Sequence, residues 1–254
     1  MNIAEGIEMV HTADIPARSG IGSSSSFTVG FLHALYALQG KMVTKRQLAT
    51  EAIHLEQNIL KENVGSQDQI AAAFGGLNKI TFSNGKYFVD TVRMESSKQT
   101  LLESSLMLYF TGYARTSSDI VIEQMKRTSS QQNNQYLQDM YAMVDEAIEI
   151  LNSPNRPLFE FGQLLYESWS LKQKLAHNIS NHIIDEMYQT ALKAGAIGGK
   201  ILGAGGGGFM LLFVPIENQP SVKVALKNYL HVPFRFENLG SHVPFYSTQE
   251  KYER

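Results

Sequence analysis

Seven of the chain's 20 glycines fall within residues 198–208, Gly-Gly-Lys-Ile-Leu-Gly-Ala-Gly-Gly-Gly-Gly. A stretch this rich in glycine is too costly for a helix interior and has too few side chains to pack as a strand. It is therefore expected to be a loop, followed by the apolar strand 209–214. Glycine carries a large unfolded-state entropy, so plain turn-making does not account for the length of this loop. Close approach of the backbone to a ligand or to another loop would account for it. A mobile surface hairpin is the plainer alternative.

A second glycine loop lies near the start. Residues 16–26, PARSGIGSSSS, sit between a strand expected at 7–13 and a helix expected at 23–39, whose apolar positions Phe27, Phe31, Leu35 and Leu38 recur at spacings of 4, 4 and 3. Gly20 and Gly22 allow close backbone approach and positive φ. The serines then open a helix, where backbone N–H groups are unpaired and the macrodipole is positive, so this junction suits an anion. Serine hydroxyls add phosphate hydrogen bonds or a Mg²⁺ ligand. The motif is neither a Walker A loop nor G-x-G-x-x-G, and a flexible serine-capped turn is the alternative reading.

Gly40 closes that helix, and Thr44 with Gln47 caps the next, about 45–61, with Leu48, Ala52, Leu55 and Ile59 as its inner stripe. A polar break at 63–69 runs into an alanine-rich stretch stopped by Gly75-Gly76. Asn84-Gly85 marks a hairpin between 77–82 and 86–92. A strand is expected at 105–111, then helices at about 117–132, 134–152, 158–176 and 181–194, a helix at 218–229 and a strand at 232–237. The pattern is α+β, without internal repeat or obvious linker, and a boundary is expected near 100–115 or 195.

With 254 residues, 43% of them hydrophobic and 18% charged, the chain can build a sizeable core. Net charge −2 gives no electrostatic case for nucleic acid or an anionic membrane. The absence of cysteine excludes disulfides and thiolate chemistry and fits a cytoplasmic protein. No apolar run reaches the length of a membrane span. The seven histidines show no metal-ligand spacing and read as surface or satisfied core residues; Trp169 reads as core, and Lys200 as either a phosphate contact or a solvated flank.

Two carboxylates complete the candidate chemistry. Glu56 lies at the polar edge of the capped helix, and Asp68 lies twelve residues on in the polar break. Phosphoryl transfer needs one carboxylate to hold Mg²⁺ and often another to orient or deprotonate the attacking hydroxyl. Spacing alone leaves both as ordinary surface charges just as well.

Together these elements resemble the GHMP kinases, the family of galactokinase, homoserine kinase, mevalonate kinase and phosphomevalonate kinase. The family's P-x3-G-[LI]-G-S-S motif is met at Pro16, Gly20, Ile21, Gly22, Ser23 and Ser24, and its K-x-x-G-A-G-G-G-G run at Lys200 and residues 203–208. The intervening acidic pattern is met at Glu56, Asp68, Gln69, Gly75 and Gly76. Within the family, DIPARSGIGSSSSFTVG at 14–30, TGYAR at 111–115 and GGKILGAGGGGFMLLF at 198–213 look like the sugar-1-kinases of D-glycero-D-manno-heptose 7-phosphate. Fucokinase-like enzymes share much of this pattern.

The resemblance implies a GHMP kinase fold. An N-terminal, ATP-binding half (1–110), like ribosomal protein S5 domain 2, would precede a ferredoxin-like C-terminal half (111–254). It implies ATP and Mg²⁺ as cofactors, a phosphorylated sugar as partner, transfer to the anomeric hydroxyl, and a product used to make nucleotide-activated heptose for surface polysaccharide. Carried over by residue, Gly20, Ile21, Gly22, Ser23, Ser24 and Ser25 cradle the ATP phosphates. Ser24 and Glu56 hold Mg²⁺, and Asp68 is the base or orienting carboxylate. Gly203, Gly205 and Gly206 shape the substrate side, and Arg18 and Arg115 meet the sugar's own phosphate, since guanidinium suits bidentate phosphate binding. The family's first motif has no match in the fifteen residues before Pro16. On that ground the resemblance predicts a chain without its first strands, with an open sheet edge. Such a chain is expected to show weak or absent activity in isolation and a tendency to aggregate or form a homodimer.

Overall fold

The computed structural model describes residues 3, 6–15, 20–112 and 118–247. Helix α1 (Ser23–Leu38) starts directly after Gly22. It stops where Gly40 takes φ 64° and the Gly40 and Lys41 N–H groups bond back to Ala37 and Tyr36, a left-handed glycine stop. Helix α2 (Lys45–His54) is capped by the Thr44 hydroxyl, which accepts the Gln47 N–H at 3.1 Å.

Helix α2 then passes into a single π turn, Leu55–Ile59. The turn holds an extra residue, which rotates the side chains after it relative to the α-helical stripe. Leu48 and Ala52 face inward as the spacing predicts, but Ile59 is 61% exposed and Glu56 is 1% exposed. Helical periodicity therefore fails at the point where the carboxylate is carried inward.

Helix α3 (Gln67–Phe74) comes next, so Asp68 sits on the first turn of a helix rather than in a polar break. Strands β1 (Asn78–Ser83) and β2 (Lys86–Thr91) form the expected antiparallel hairpin, with Asn84 and Gly85 both at positive φ. Val29, Leu48, Ala49, Ala52, Ile70 and Ala73 make one core beneath the hairpin residues Ile80, Tyr87 and Val89.

Nothing in the sequence announces helix α4 (Ser96–Ser105), because SSKQTLLESS is polar with little periodicity; its buried anchor is Leu102. Beyond it lie β3 (Leu106–Phe110), α5 (Ser118–Ser129), α6 (Asn134–Asn152), α7 (Leu158–Lys172), α8 (His182–Lys193), β4 (Gly198–Ile201), β5 (Phe209–Phe213), α9 (Gln219–Ala225) and β6 (Leu230–Val232). Strands β4-β5-β3-β6 form an antiparallel sheet. Its main core gathers Met107, Tyr109, Trp169, Ile179, Ile201, Met210 and Leu212. Burying each large apolar side chain contributes roughly 1.5–3 kcal/mol.

Three strand expectations need correction. Residues 7–13 form no strand and pair with no strand among the described residues; Val10 is 81% exposed. The final strand ends at Val232, where Pro233 removes the next ladder donor. Gly198 and Gly199 lie inside β4, not in a loop. Helix α7 lies so close on β4 that a methyl at Gly198 would overlap the Gly162 carbonyl, so here glycine permits the strand.

Residues 236–241 tie the sheet to α3. The Gly76 N–H bonds to Glu237 O at 2.7 Å and the Ser241 N–H to Ala72 O at 2.8 Å. The Lys45 ammonium bridges Phe74 O and Leu239 O at 2.7 Å each. A methyl at Gly75 would overlap the Gly240 backbone. The C-terminal end of the helix that carries Asp68 is thereby held.

Candidate active site

A cleft of about 2380 Å³ runs between the start of α1, the first turn of α3 and the loop 202–208. That exceeds the usual ~300–1,000 Å³ ligand pocket. The two glycine loops meet across it. A methyl at Gly203 would overlap the Gly20 carbonyl oxygen, so loop-on-loop contact is what this glycine run allows. Gly205 and Gly206 pack on the Ile179 and Asn178 backbone and on Ile120, and the Gly206 N–H bonds to Ile179 O at 2.8 Å.

At the other wall, Gly22 is the N-cap of α1 at φ 75°, with no side-chain cap and no acidic residue in the first turn. The first backbone donors of a sixteen-residue helix are left without a side-chain cap at the cleft wall, where Ser23, Ser24 and Ser25 also stand. A Cβ at Gly22 would lie 3.1 Å from Asp68 Cγ, so any larger residue would push the carboxylate back by a few tenths of an ångström from the helix start.

Asp68 is half-buried and lines the cleft. Burial pushes its carboxyl above the ordinary aspartate value; a Gln67 hydrogen bond opposes this, and the Glu56 charge adds to it. Glu56 is held from behind. Its Oε2 accepts the Ser25 hydroxyl at 2.9 Å and the Gln69 amide at 2.5 Å. Its Oε1 is buried with no hydrogen-bond partner. A buried, unpartnered carboxylate oxygen of this kind fits a cation, because it otherwise carries its desolvation cost uncompensated.

Of the two serines, Ser25 touches Glu56, while Ser24 is exposed on the cleft wall. No group of three or more His, Asp or Glu residues gathers to hold a metal among the described residues. In the sequence Gln69 stands out only as the neighbour of Asp68. Its 0% exposure and its bond to Glu56 make it an orienting residue, which the Asp-Gln dipeptide does not reveal. Arg18 and Arg115 lie outside the described residues.

Family models match both ends of this arrangement. The model of the GHMP kinases N terminal domain matches residues 1–76, and that of the GHMP kinases C terminal matches residues 155–231. The chain belongs to the GHMP kinases. It is similar to the D-glycero-alpha-D-manno-heptose 7-phosphate kinase of Campylobacter jejuni, 32% identical over 236 residues that cover 91% of this chain and 69% of the relative. It is also 26% identical over 215 residues to the bifunctional fucokinase/GDP-fucose pyrophosphorylase of Arabidopsis thaliana, covering 82% of this chain and 20% of that protein. Among solved structures, a D-glycero-D-manno-heptose 1-phosphate kinase from Bacteroides thetaiotaomicron superposes with TM-score 0.68 at 28% identity, over 92% of this chain and 66% of that one.

For a GHMP kinase the helices and antiparallel sheets described above are the expected α+β fold. The second glycine run sits where the two matched regions meet across the cleft, with Gly20 on one side and Gly203 on the other. Among the described residues, no helix is long and apolar enough to cross a membrane.

Proposed function

We propose that the chain is an ATP-dependent sugar kinase that phosphorylates the anomeric hydroxyl of a phosphorylated heptose, D-glycero-D-manno-heptose 7-phosphate, in the cytoplasm. The observation that carries the reading is the convergence of two carboxylates on the uncapped start of α1, with Asp68 against Gly22 and Glu56 hydrogen-bonded to Ser25. Phosphoryl transfer is mostly positioning and charge stabilisation, and these groups supply both.

In this reading the first-turn N–H groups of α1 and the Ser23 and Ser24 hydroxyls receive the ATP phosphates. Asp68 orients the sugar hydroxyl and takes its proton as the oxygen–phosphorus bond forms and the bond to the ADP leaving oxygen breaks. A carboxyl held above its ordinary value is a better proton acceptor than a free aspartate. Glu56 Oε1, with the Ser24 hydroxyl, would hold Mg²⁺, which supplies charge neutralisation on the phosphates when bound. Arg18 and Arg115 are proposed for the sugar's own phosphate. Loop 203–208 closes the substrate side, and the sugar 1-phosphate formed goes on to nucleotide activation for surface polysaccharide.

The test is a transfer assay with ATP and Mg²⁺ over heptose 7-phosphate, fucose, galactose and mevalonate. Preference for heptose 7-phosphate by at least tenfold in kcat/KM is expected. Preference for unphosphorylated fucose would replace the substrate with a fucokinase-like one. ATP binding without transfer to any sugar would replace the kinase with a nucleotide-binding regulator.

A further inference from the structure

Lys172, the last residue of α7, does not line the cleft, yet its amine reaches the glycine loop from behind. It donates to Gly203 O at 2.5 Å and lies 3.5 Å from Ile201 O. Gly203 is the residue whose Cα abuts the Gly20 carbonyl on the opposite loop. One side chain therefore holds the second loop at its point of contact with the first.

The setting is costly for a cation. Among the described residues no salt bridge reaches Lys172, and the charged group facing it is another lysine, Lys200 on β4. Loop 202–208 itself carries no titratable side chain. Burial first, and the Lys200 charge second, lower the Lys172 amine to about 7, and burial lowers Lys200 as well.

We propose that Lys172 is a positioning residue of the cleft: its amine holds the Gly203 carbonyl on the helix side of the loop and so keeps the two glycine loops in register around the nucleotide phosphates. The inference rests on the kinase reading for its functional half and on geometry alone for its structural half. Burial and the Lys200 charge make the tethered amine bind its proton less readily than a solvent-exposed one, so the tether is strongest at high pH and weakens as pH falls from the ordinary lysine value to about 7.

Lys172→Met, Lys172→Ala and Lys172→Arg in the full chain separate the two halves. Amide hydrogen exchange over residues 202–208 is expected to be at least tenfold faster in K172M than in the parent, with the melting temperature unchanged or raised. Unchanged exchange in K172M overturns the tether. If K172M folds poorly, K172A, which also leaves the loop carbonyl without a donor, is read in its place, and unchanged exchange there overturns the tether equally. Calorimetric ATP affinity is expected to fall at least tenfold in K172M. It should recover in K172R without the parent's change in affinity above pH 7. Faster exchange with unchanged ATP affinity overturns the link to the cleft. A parent that binds no ATP removes the kinase reading, while the exchange comparison still decides the tether.

Discussion

The two glycine loops use one residue type for different ends. The first, at Gly20 to Ser25, faces the cleft with uncapped helix donors, and Gly22 is small so that Asp68 can stand beside it. The second, at 202–208, is shaped mostly by its packing. Gly203 meets the Gly20 backbone, Gly205 and Gly206 meet Ile179, Asn178 and Ile120, and Lys172 holds Gly203 from behind. The first loop prepares a place for charge, and the second sets how closely the opposite wall approaches it. Glycine density measures close approach, and only the neighbours say whether the approach is to a ligand or to protein.

The largest effect that sharpens this contrast is expected at the carboxylate that stands beside the first loop. Asp68→Asn should lower phosphoryl transfer by about 10²- to 10⁴-fold, measured as initial rates. Its folded-state carboxyl is raised, so the native chain binds the proton more readily than the unfolded one. The stability this gives is present at low pH and is lost as pH rises through the raised value. At pH 7 the ionised group is therefore a burden on the fold, and Asp68→Asn should melt at the same or a higher temperature. A lower melting temperature at pH 7 would mean that Asp68 supports the fold instead.

Next comes a matched pair of glycine substitutions. Gly22→Ala presses a methyl toward Asp68 and should cost about 100-fold in kcat through misplacement of that carboxylate. Gly203→Ala presses on backbone at φ 66° and should show first in stability, with at least the ~1–2 kcal/mol of left-handed strain, read by denaturant unfolding. Equal kcat losses from both would erase the distinction between the loops.

The paired serines come third. Ser25→Ala leaves Glu56 with one partner fewer and should cost about 1–3 kcal/mol of stability. Exposed Ser24→Ala should leave the melting temperature unchanged. Whichever of the two shifts the Mg²⁺ concentration needed for half-maximal rate is the hydroxyl nearer the ion.

The smallest effect is expected at the arginines. Arg18→Ala or Arg115→Ala should raise KM for a phosphorylated sugar about tenfold, a loss of ~1.4 kcal/mol, with kcat little changed. An unchanged KM would remove that residue from the substrate's phosphate.

Helix starts, glycine stops and the Asn84-Gly85 hairpin are legible in the sequence because each depends on a few neighbouring residues. The Thr44 cap and the Gly40 stop are local hydrogen-bond and φ requirements, and both appear as read. The π turn is not legible: LEQNI continues the α-helical spacing of Leu48 and Ala52, and only packing explains why Ile59 faces out and Glu56 faces in. Strand β4 is hidden for the related reason that Gly198 is made necessary by Gly162 on a helix earlier in the chain. The expected strand at 7–13 fails because a strand needs a partner ladder, and none of the described strands pairs with this segment.

By itself the sequence singled out the residues proposed to bear the chemistry: two glycine loops, a serine-opened helix, and Glu56 and Asp68 at their spacing. Those are choices of residue type, and donors, carboxylates and missing side chains are visible in the letters. The tertiary structure alone decided that Ser25 and Gln69 grip one oxygen of Glu56 and leave the other bare, that Gly22 makes room for Asp68, and that Lys172 holds Gly203 against Gly20. Each of these joins segments far apart in the chain, and burial and close contact exist only once those segments are packed together.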